Sequence, residues 1–384
     1  MSASSTGKLP TSISNDTISV NKIAWPVDRE IPKLEWELPT GVRVISSDDH
    51  ILEAPGMYED YIAPKYKAVA PKVWKDETGT HLECEGRNLD SIGQKLLLTQ
   101  GRPGMANPIL RAKDYDAELV DAGFIFAQVS MALFTLEDKN LMIACYDAYN
   151  EWLANECARL PGRMYGVAVL PTIYAPENTA EYIQKIKNWG FKAMQIPSNP
   201  KDVWYNGSRW EPMWDAIEES GLPLSFHIGE NPNYRGKGAL GTFLTTGFQP
   251  FRRLWALLTF SGVLERHPAM NIIFTEGGIS WVPAALYDAD KTYLQFESEM
   301  RPQLAQPPSY YWHRQCFATF MDDPSGIKLI DDIGFEKVLW SVDYPHPEST
   351  LGESAALIKS FFEDLPSEQA SAIVGGNAAK LWNI

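Results

Sequence analysis

The chain has 384 residues, 45% hydrophobic and 22% charged, a globular composition with enough length to bury a sizeable core, which excludes a disordered or repetitive chain. Its 34 lysines and arginines stand against 49 aspartates and glutamates, and the net charge of −15 argues against nucleic acid or an anionic membrane surface as a partner. Four widely spaced cysteines (Cys84, Cys145, Cys157, Cys316) form no C-x-x-C and read as buried free thiols, and no apolar run is long enough to span a bilayer.

Residues 1–40 are polar and carry Pro10, Pro26, Pro32 and Pro39, so they read as an irregular N-terminal arm. The opening residues lack a charged stretch followed by an apolar one, so no signal peptide is expected and the cytoplasm is the expected location. Regular structure starts at Val42. Short β-rich runs then recur at 42–48, 124–129, 163–170, 191–196, 222–227, 270–275, 314–319 and 337–342. Helical periodicity fills most of the gaps, at 137–159, 175–188, 208–219, 247–265, 281–297 and 323–332. Eight strands alternating with helices predict an α/β fold, a (β/α)8 TIM barrel, with one elaborated barrel over 41–384 rather than two domains. Residues 51–110 are too long for a strand-to-helix loop. Alternation around Glu77-Thr-Gly-Thr80 predicts a small β-rich insertion after strand 1, placed as a cap over the C-terminal mouth of the barrel.

In such a barrel the C-terminal strand ends carry the chemistry. The first strand runs into Asp48-Asp49-His50, and alternation puts Asp48 and His50 on one side. The fifth ends at His227, the sixth at Glu276, and the eighth at Asp343-Tyr-Pro-His346. Carboxylates and imidazoles converging from several strands make a mixed N/O site for one divalent metal, with Zn2+ first and Mn2+ or Fe2+ as options. His81 falls in the insertion, and His267 and His313 fall at the opposite ends of their strands, which suits structural roles.

Asp48-Asp-His50 with Ile51-Leu-Glu53-Ala-Pro55 resembles the opening of the amidohydrolase-related family (amidohydrolase family 2), which includes aminocarboxymuconate semialdehyde decarboxylase-like enzymes. The resemblance continues through Arg111-Ala-Lys-Asp-Tyr-Asp116 with Gly123, Tyr149-Asn-Glu-Trp152, Pro161-Gly-Arg163, Glu265-Arg-His-Pro268, Ser341-Val-Asp-Tyr-Pro-His346 and Gly375-Gly-Asn-Ala378, so it spans about residues 42–384. It implies a distorted barrel with a metal-activated water. It also implies Asp48, His50, His227 and Asp343 as the metal ligands. Two departures stand out. Decarboxylase relatives often carry His-x-His on strand 1, where this chain has Asp-x-His, and their strand-6 histidine is Glu276 here.

On this reading Asp343 takes a proton from the metal-activated water, and Glu276 or His346 supplies one to the leaving group or substrate carbon. The leading expectation is hydrolysis of a small aromatic or cyclic substrate. The alternative is non-oxidative decarboxylation of an aromatic or dienoic acid, with Arg235, Arg252, Arg253 or Arg314 holding the carboxylate. A catalytically inactive binding barrel is the third reading. A homodimer or higher homo-oligomer is the expected assembly.

Overall fold

The apolar runs at the heart of the chain are buried on both faces, as strands of a parallel sheet covered by helices must be. The computed structural model describes residues 31, 33–76, 79–90, 102–227, 237–246, 250–301, 303–346 and 349–384. Most of the expected N-terminal arm, including Trp25, lies outside the described residues. Eight parallel strands follow one another in sequence order around one sheet. They are β1 (Ile45–Ile51), β5 (Ala122–Ala127), β6 (Met164–Val169), β7 (Ala193–Pro197), β8 (Leu224–His227), β9 (Ile272–Phe274), β10 (Cys316–Phe320) and β11 (Val338–Trp340). The last meets the first: Asp343 N donates to Asp48 O at 2.9 Å and His50 N to Tyr344 O at 2.6 Å. The sheet thus closes nearly completely into the expected barrel.

Each strand alternates inward and outward residues. A lower inward layer is apolar: Ile45, Phe124, Val167, Ala193, Ile273, Phe317 and Leu339 cluster there. Trp382, in the C-terminal helix Asn377–Trp382, stacks on Phe124 at 3.7 Å between ring centroids and plugs this floor. Two residues further along, on the strands or just past their ends, stand buried Gln195, Thr275, Thr319 and Ser341, so the interior turns polar towards the C-terminal ends. The outward faces join the main core beneath the helices.

Two helices depart from the sequence reading. The helix expected over 247–265 is described as Pro250–Phe260 and Val263–Arg266, separated at Gly262, whose φ of 76° no helix accommodates. The one expected over 323–332 is two single-turn pieces, Pro324–Ile327 and Ile330–Ile333. The interval after β1 also holds more than a hairpin. A helix Met57–Tyr61 and a 3-10 turn Pro64–Val69 precede an antiparallel sheet of β2 (Lys72–Asp76), β3 (Gly79–Cys84) and β4 (Arg87–Asn88). Glu85 ties this sheet to the loop after β5 by accepting from Glu137 N and Asp138 N, at 2.9 and 2.8 Å. Between Asp76 and Asp90, at 3.0 and 2.7 Å, those carboxylates hold the His81 pKa above its ordinary range. The described part of the insertion is thus tied together by a partly buried His81–Asp76–Asp90 ion cluster. Cys84, Cys145 and Cys316 are buried and all four thiols are free, and burial pushes the Cys84 thiol up to about 11. No helix among the described residues is long and apolar enough to cross a membrane.

Gly375 packs against the start of β1, where an added Cβ would fall inside contact distance of the Arg43 carbonyl oxygen. Backbone cannot yield as a side-chain tip can. Gly375→Ala should therefore cost about 1–3 kcal/mol, the usual penalty for overpacking, read as a lowered urea midpoint at unchanged slope. An unchanged midpoint would show that the seam relaxes.

Candidate active site

The six titratable residues singled out at strand ends come together in one buried cluster. β1 carries a bulge between Ser46 and Asp49 against β5. An extra residue in one strand re-aims the side chains that follow it, and here Asp48 and His50 both face the barrel interior. His50 Nε2 lies 3.6 Å from Asp48 Oδ1 and 3.3 Å from Asp343 Oδ1. His227, the last residue of β8, places Nε2 at 3.5 Å from Asp48 Oδ1 and 3.6 Å from Glu276 Oε2. His346 Nδ1 stands 3.7 Å from Asp343 Oδ2, and its ring lies 4.3 Å from that of His50. Phe126 packs on the His227 ring at 4.8 Å and seals the inner side.

Two strand ends leave the ordinary backbone regions to reach this point. Glu276 has φ 76° and Asp343 φ 61°, left-handed conformations that a residue with a Cβ adopts at a cost. Thr319 Oγ1 accepts from Glu276 N at 2.7 Å and pins the first. The closing bond from Asp343 N to Asp48 O pins the second.

The protonation of His50 follows from its neighbours. Its Nδ1 faces the Ala127 carbonyl at 3.0 Å, and a carbonyl only accepts, so Nδ1 carries the hydrogen and Nε2 keeps its lone pair. Burial, with His346 and His227 alongside, holds the His50 pKa well below the usual imidazole value. A lone pair thus faces two carboxylates. Neither Asp48 oxygen nor His50 Nε2 makes a hydrogen bond among the described residues. Acceptor facing acceptor in a dry pocket needs a cation between them. The donor atoms of Asp48, His50 and His227 lie within 4.8 Å of one another, as do those of His50, Asp343 and His346. Imidazole nitrogens and carboxylate oxygens at this spacing suit a divalent transition ion, so the residues fit a metal.

A second layer, which sequence reasoning missed, lies on the outer face of β1. Asp49 is fully buried and points away from the cluster. Its Oδ1 accepts from Ser46 Oγ at 2.8 Å and from Tyr344 N at 2.9 Å, and its Oδ2 accepts from Tyr115 Oη. Arg111 is buried beside it and donates to the carbonyl of His50 and, at 3.2 Å, to that of Gly104. Burial pushes the Asp49 carboxyl up to about 6, while Arg111 and its hydrogen bonds pull the other way. Gly123 makes room, since a Cβ there would collide with Tyr115 Oη and the Asp49 carboxylate. The signal was in the sequence: Arg111 and Tyr115 stand four residues apart on the helix Pro108–Ala117, hence on one face.

Of the arginines considered for a substrate carboxylate, Arg235 lies outside the described residues. Arg314 donates to Leu264 O and Arg252 pairs with Asp288. Arg253 donates to Asn199 Oδ1, just beyond β7, where Ser198 N donates to the carbonyl of His227 at 3.1 Å. His267 is buried against Glu211 and Glu218, at 3.2 Å from each, away from the cluster.

The amidohydrolase family model matches residues 98–384, about three quarters of the chain. Among curated proteins, the chain is 26% identical over 224 residues to a gamma-resorcylate decarboxylase of Rhodococcus jostii, covering 51% of this chain and 64% of that protein. The alignment thus spans just under two thirds of that relative. A gamma-resorcylate decarboxylase of a Polaromonas species is 23% identical, covering 79% of this chain and 97% of the relative. Among solved structures, an amidohydrolase from Mycobacterium avium subsp. paratuberculosis superposes with a TM-score of 0.75 at 18% identity, over 90% of this chain and 100% of that one. A 5-carboxyvanillate decarboxylase from Novosphingobium aromaticivorans, complexed with manganese and 4-hydroxy-3-methoxy-5-nitrobenzoic acid, gives a TM-score of 0.67 at 19% identity, over 90% of this chain and 97% of the other. These names overturn hydrolysis as the leading expectation: the relatives are named decarboxylases, and a carboxylate-rich cluster had been taken for hydrolytic machinery when carboxylates serve equally well as ligands.

The cluster generates a prediction with two signs. Two carboxylates buried together repel when no cation joins them, so Asp48→Asn and Asp343→Asn should each raise the melting temperature of chelator-treated protein by a few degrees. The same variants should lose most of the stabilisation that added Mn2+ confers on the wild type. Thermal melts with and without Mn2+ read both effects, and a fall in the metal-free melting temperature would make these carboxylates structural.

Proposed function

The chain belongs to the amidohydrolase family, and from that premise we propose that it is a metal-dependent, non-oxidative decarboxylase of a hydroxylated aromatic carboxylic acid. The observation that carries the reading is the buried facing of His50 Nε2 with the carboxylates of Asp48 and Asp343, a cation site at the mouth of a barrel whose relatives are named for decarboxylation. Asp48, His50, His227 and Asp343 are the proposed ligands. The first two precede the stretch matched by the family model, so their assignment rests on geometry. We take Mn2+ ahead of Zn2+ or Fe2+, because a structural neighbour is complexed with manganese. A bound divalent ion supplies positive charge that anchors substrate oxygens and offsets negative charge developing in the reaction.

The residues of the chain do the rest. Decarboxylation of an aromatic acid replaces the carboxylate on the ring carbon by hydrogen, so that carbon must take a proton. Glu276 is the proposed acid. Its carboxyl sits beside His227 at the edge of the cluster, and its strained backbone is held by Thr319. In its protonated form it delivers H+ to the ring carbon that bears the carboxylate. The bond from that carbon to the carboxylate then breaks, its electrons restore the aromatic ring, and carbon dioxide leaves. Glu276 regains a proton from solvent. Phe126 and the polar inner layer exclude bulk water from below. His346, 3.7 Å from Asp343, orients that carboxylate.

The protein acts in the cytoplasm, where its free thiols stay reduced, and it assembles as a homodimer. Tyr287, Leu294 and Phe296, all more than half exposed around the helix Trp281–Gln295, offer apolar surface for the contact. Sedimentation velocity at micromolar concentration should give a dimer, and a monomer would reject the assembly.

Manganese-loaded protein should release carbon dioxide from a panel of hydroxybenzoic acids and leave a panel of amides, esters and lactones untouched. Turnover of the second panel alone would overturn the proposal. Glu276→Gln should lower kcat by about 10²–10⁴-fold at unchanged manganese content. Full activity in that variant would remove Glu276 from the proton transfer.

A further inference from the structure

We propose that Asp49, which touches none of the ligand atoms, is the positioning residue that sets the distance between the two halves of the metal site, an inference that rests on the metal reading above. The site is split across the closing seam of the barrel. Asp48 and His50 sit on β1, and Asp343 and His346 sit on the loop that leaves β11. Strands elsewhere in the sheet are held by ladders, but β11 is described for only three residues, Val338–Trp340, and ends before Asp343. The register across the seam is instead carried by a few discrete bonds.

Asp49 sits at their centre. Its Oδ1 holds Tyr344 N, the residue after the ligand Asp343, at 2.9 Å. The same oxygen accepts from Ser46 Oγ at 2.8 Å, and Ser46 Oγ in turn accepts from Val342 N at 2.8 Å, on the other side of that ligand. One carboxylate thereby fixes both neighbours of Asp343 against the strand that carries Asp48 and His50. Its own orientation is locked from the far side, because Oδ2 accepts from Tyr115 Oη. Arg111 supplies the matching charge. It donates to Tyr115 Oη at 3.4 Å and to the His50 carbonyl, and its guanidinium lies 4.5 Å from the Tyr344 ring. Arg102, paired with Asp114, extends the brace, since Tyr344 Oη donates to Asp114 Oδ2 at 2.8 Å. Asp49, Arg111, Tyr115 and Tyr344 are buried, so water does not compete for their bonds.

The geometry also explains why a charged group is used. A neutral amide at position 49 can keep its oxygen on Tyr344 N and Ser46 Oγ, but its nitrogen can only donate, so the Tyr115 hydroxyl must turn from donor to acceptor and loses the acceptor for its own hydrogen. The amide also removes the charge that faces Arg111, so the far side of the brace is weakened while the Tyr344 side stays. Outer groups of this kind cost about 10–100-fold in metal affinity when removed.

The test titrates metal-free protein with Mn2+ alone by calorimetry and records the melting temperature of the same metal-free samples. Asp49→Asn should weaken Mn2+ binding at least tenfold. Ser46→Ala and Tyr115→Phe, which keep the carboxylate, should weaken it less but measurably, and they carry the test should Asp49→Asn fail to fold. Pairing Asp49→Asn with Arg111→Met removes the guanidinium left unpaired, and should recover melting temperature without recovering affinity. Asn150→Ala is the control. Asn150 braces the end of β6 through both polar groups of Val169, a strand end that carries none of the six cluster residues. It should lower the melting temperature and leave Mn2+ affinity unchanged. Variants at 46, 49 and 115 that lose only melting temperature, while binding Mn2+ as the wild type does, would overturn the positioning role alone. A wild type that takes up no Mn2+ would overturn the metal reading beneath it.

Discussion

A lone pair on His50 Nε2 held within 3.6 Å of two buried carboxylates is the constraint from which the rest of the structure can be understood. Left to themselves these groups repel, and the usual remedies are closed. His50 cannot relieve the contact through Nε2 while Nδ1 gives its hydrogen to Ala127 O. Burial and two neighbouring imidazoles disfavour its protonation. Among the described residues the buried guanidinium of Arg111 lies behind β1 and spends its charge on Asp49 and its donors on carbonyls. On the metal reading proposed above, a bound cation completes the charge balance of the described cluster. Much of the local architecture keeps this arrangement from relaxing, including the bulge in β1, the left-handed residues at 276 and 343, and the bonds across the closing seam.

The fold was readable because its signal is repeated. Eight apolar runs, each near a helical segment, gave the barrel, and every expected strand overlaps an observed one. The six residues of the cluster were readable for a related reason. They stand at strand ends, and in a barrel of this kind those ends converge whatever the loops do. Asp49 was not readable in the same way. Strict alternation puts it outside, where an aspartate next to two candidate ligands looks like solvent-facing filler. Its partner Ser46 is local, but its other hydrogen-bond partners, Tyr115 and Tyr344, stand 66 and 295 positions away along the chain. No local pattern announces a buried outward carboxylate. The bridge of His81 between Asp76 and Asp90 is local, 5 and 9 positions apart, yet was not legible because alternation shows which side a residue faces and not which side chains meet there.

The reaction was misjudged for a different reason. Ligand type and strand position specify where a cation sits, but the same donors can polarise a water, a carbonyl or a carboxylate. What separates hydrolysis from decarboxylation is which atoms of the substrate meet the proton donor. The curated relatives named above are decarboxylases at 23–26% identity, and for this chain decarboxylation is the reading they favour. The chain's own contribution is Glu276, which stands where the resemblance led one to expect a histidine. A carboxyl donates its proton at lower pH than an imidazole, and next to His227 it shares the environment of a ligand. If Glu276 is the proton donor proposed above, the substitution places that donor 3.6 Å from a proposed metal ligand, His227.

That coupling has a stability side. Glu276 and Asp343 both occupy backbone conformations that cost on the order of 1–3 kcal/mol each for a residue with a Cβ. Glycine at either position would relieve the strain but remove the carboxylate from the cluster. The chain holds them by other means: Thr319 Oγ1 grips the amide of Glu276, and Asp48 O, together with the Asp49 brace, grips Asp343 and its neighbours. Each grip comes from an adjacent strand rather than from the residue's own loop. The strained loops need supply little order themselves, because the barrel wall supplies it. Such an arrangement allows the segments around the mouth to vary in length and sequence, as the long interval after β1 does here, while the cluster between the strand ends keeps its dimensions.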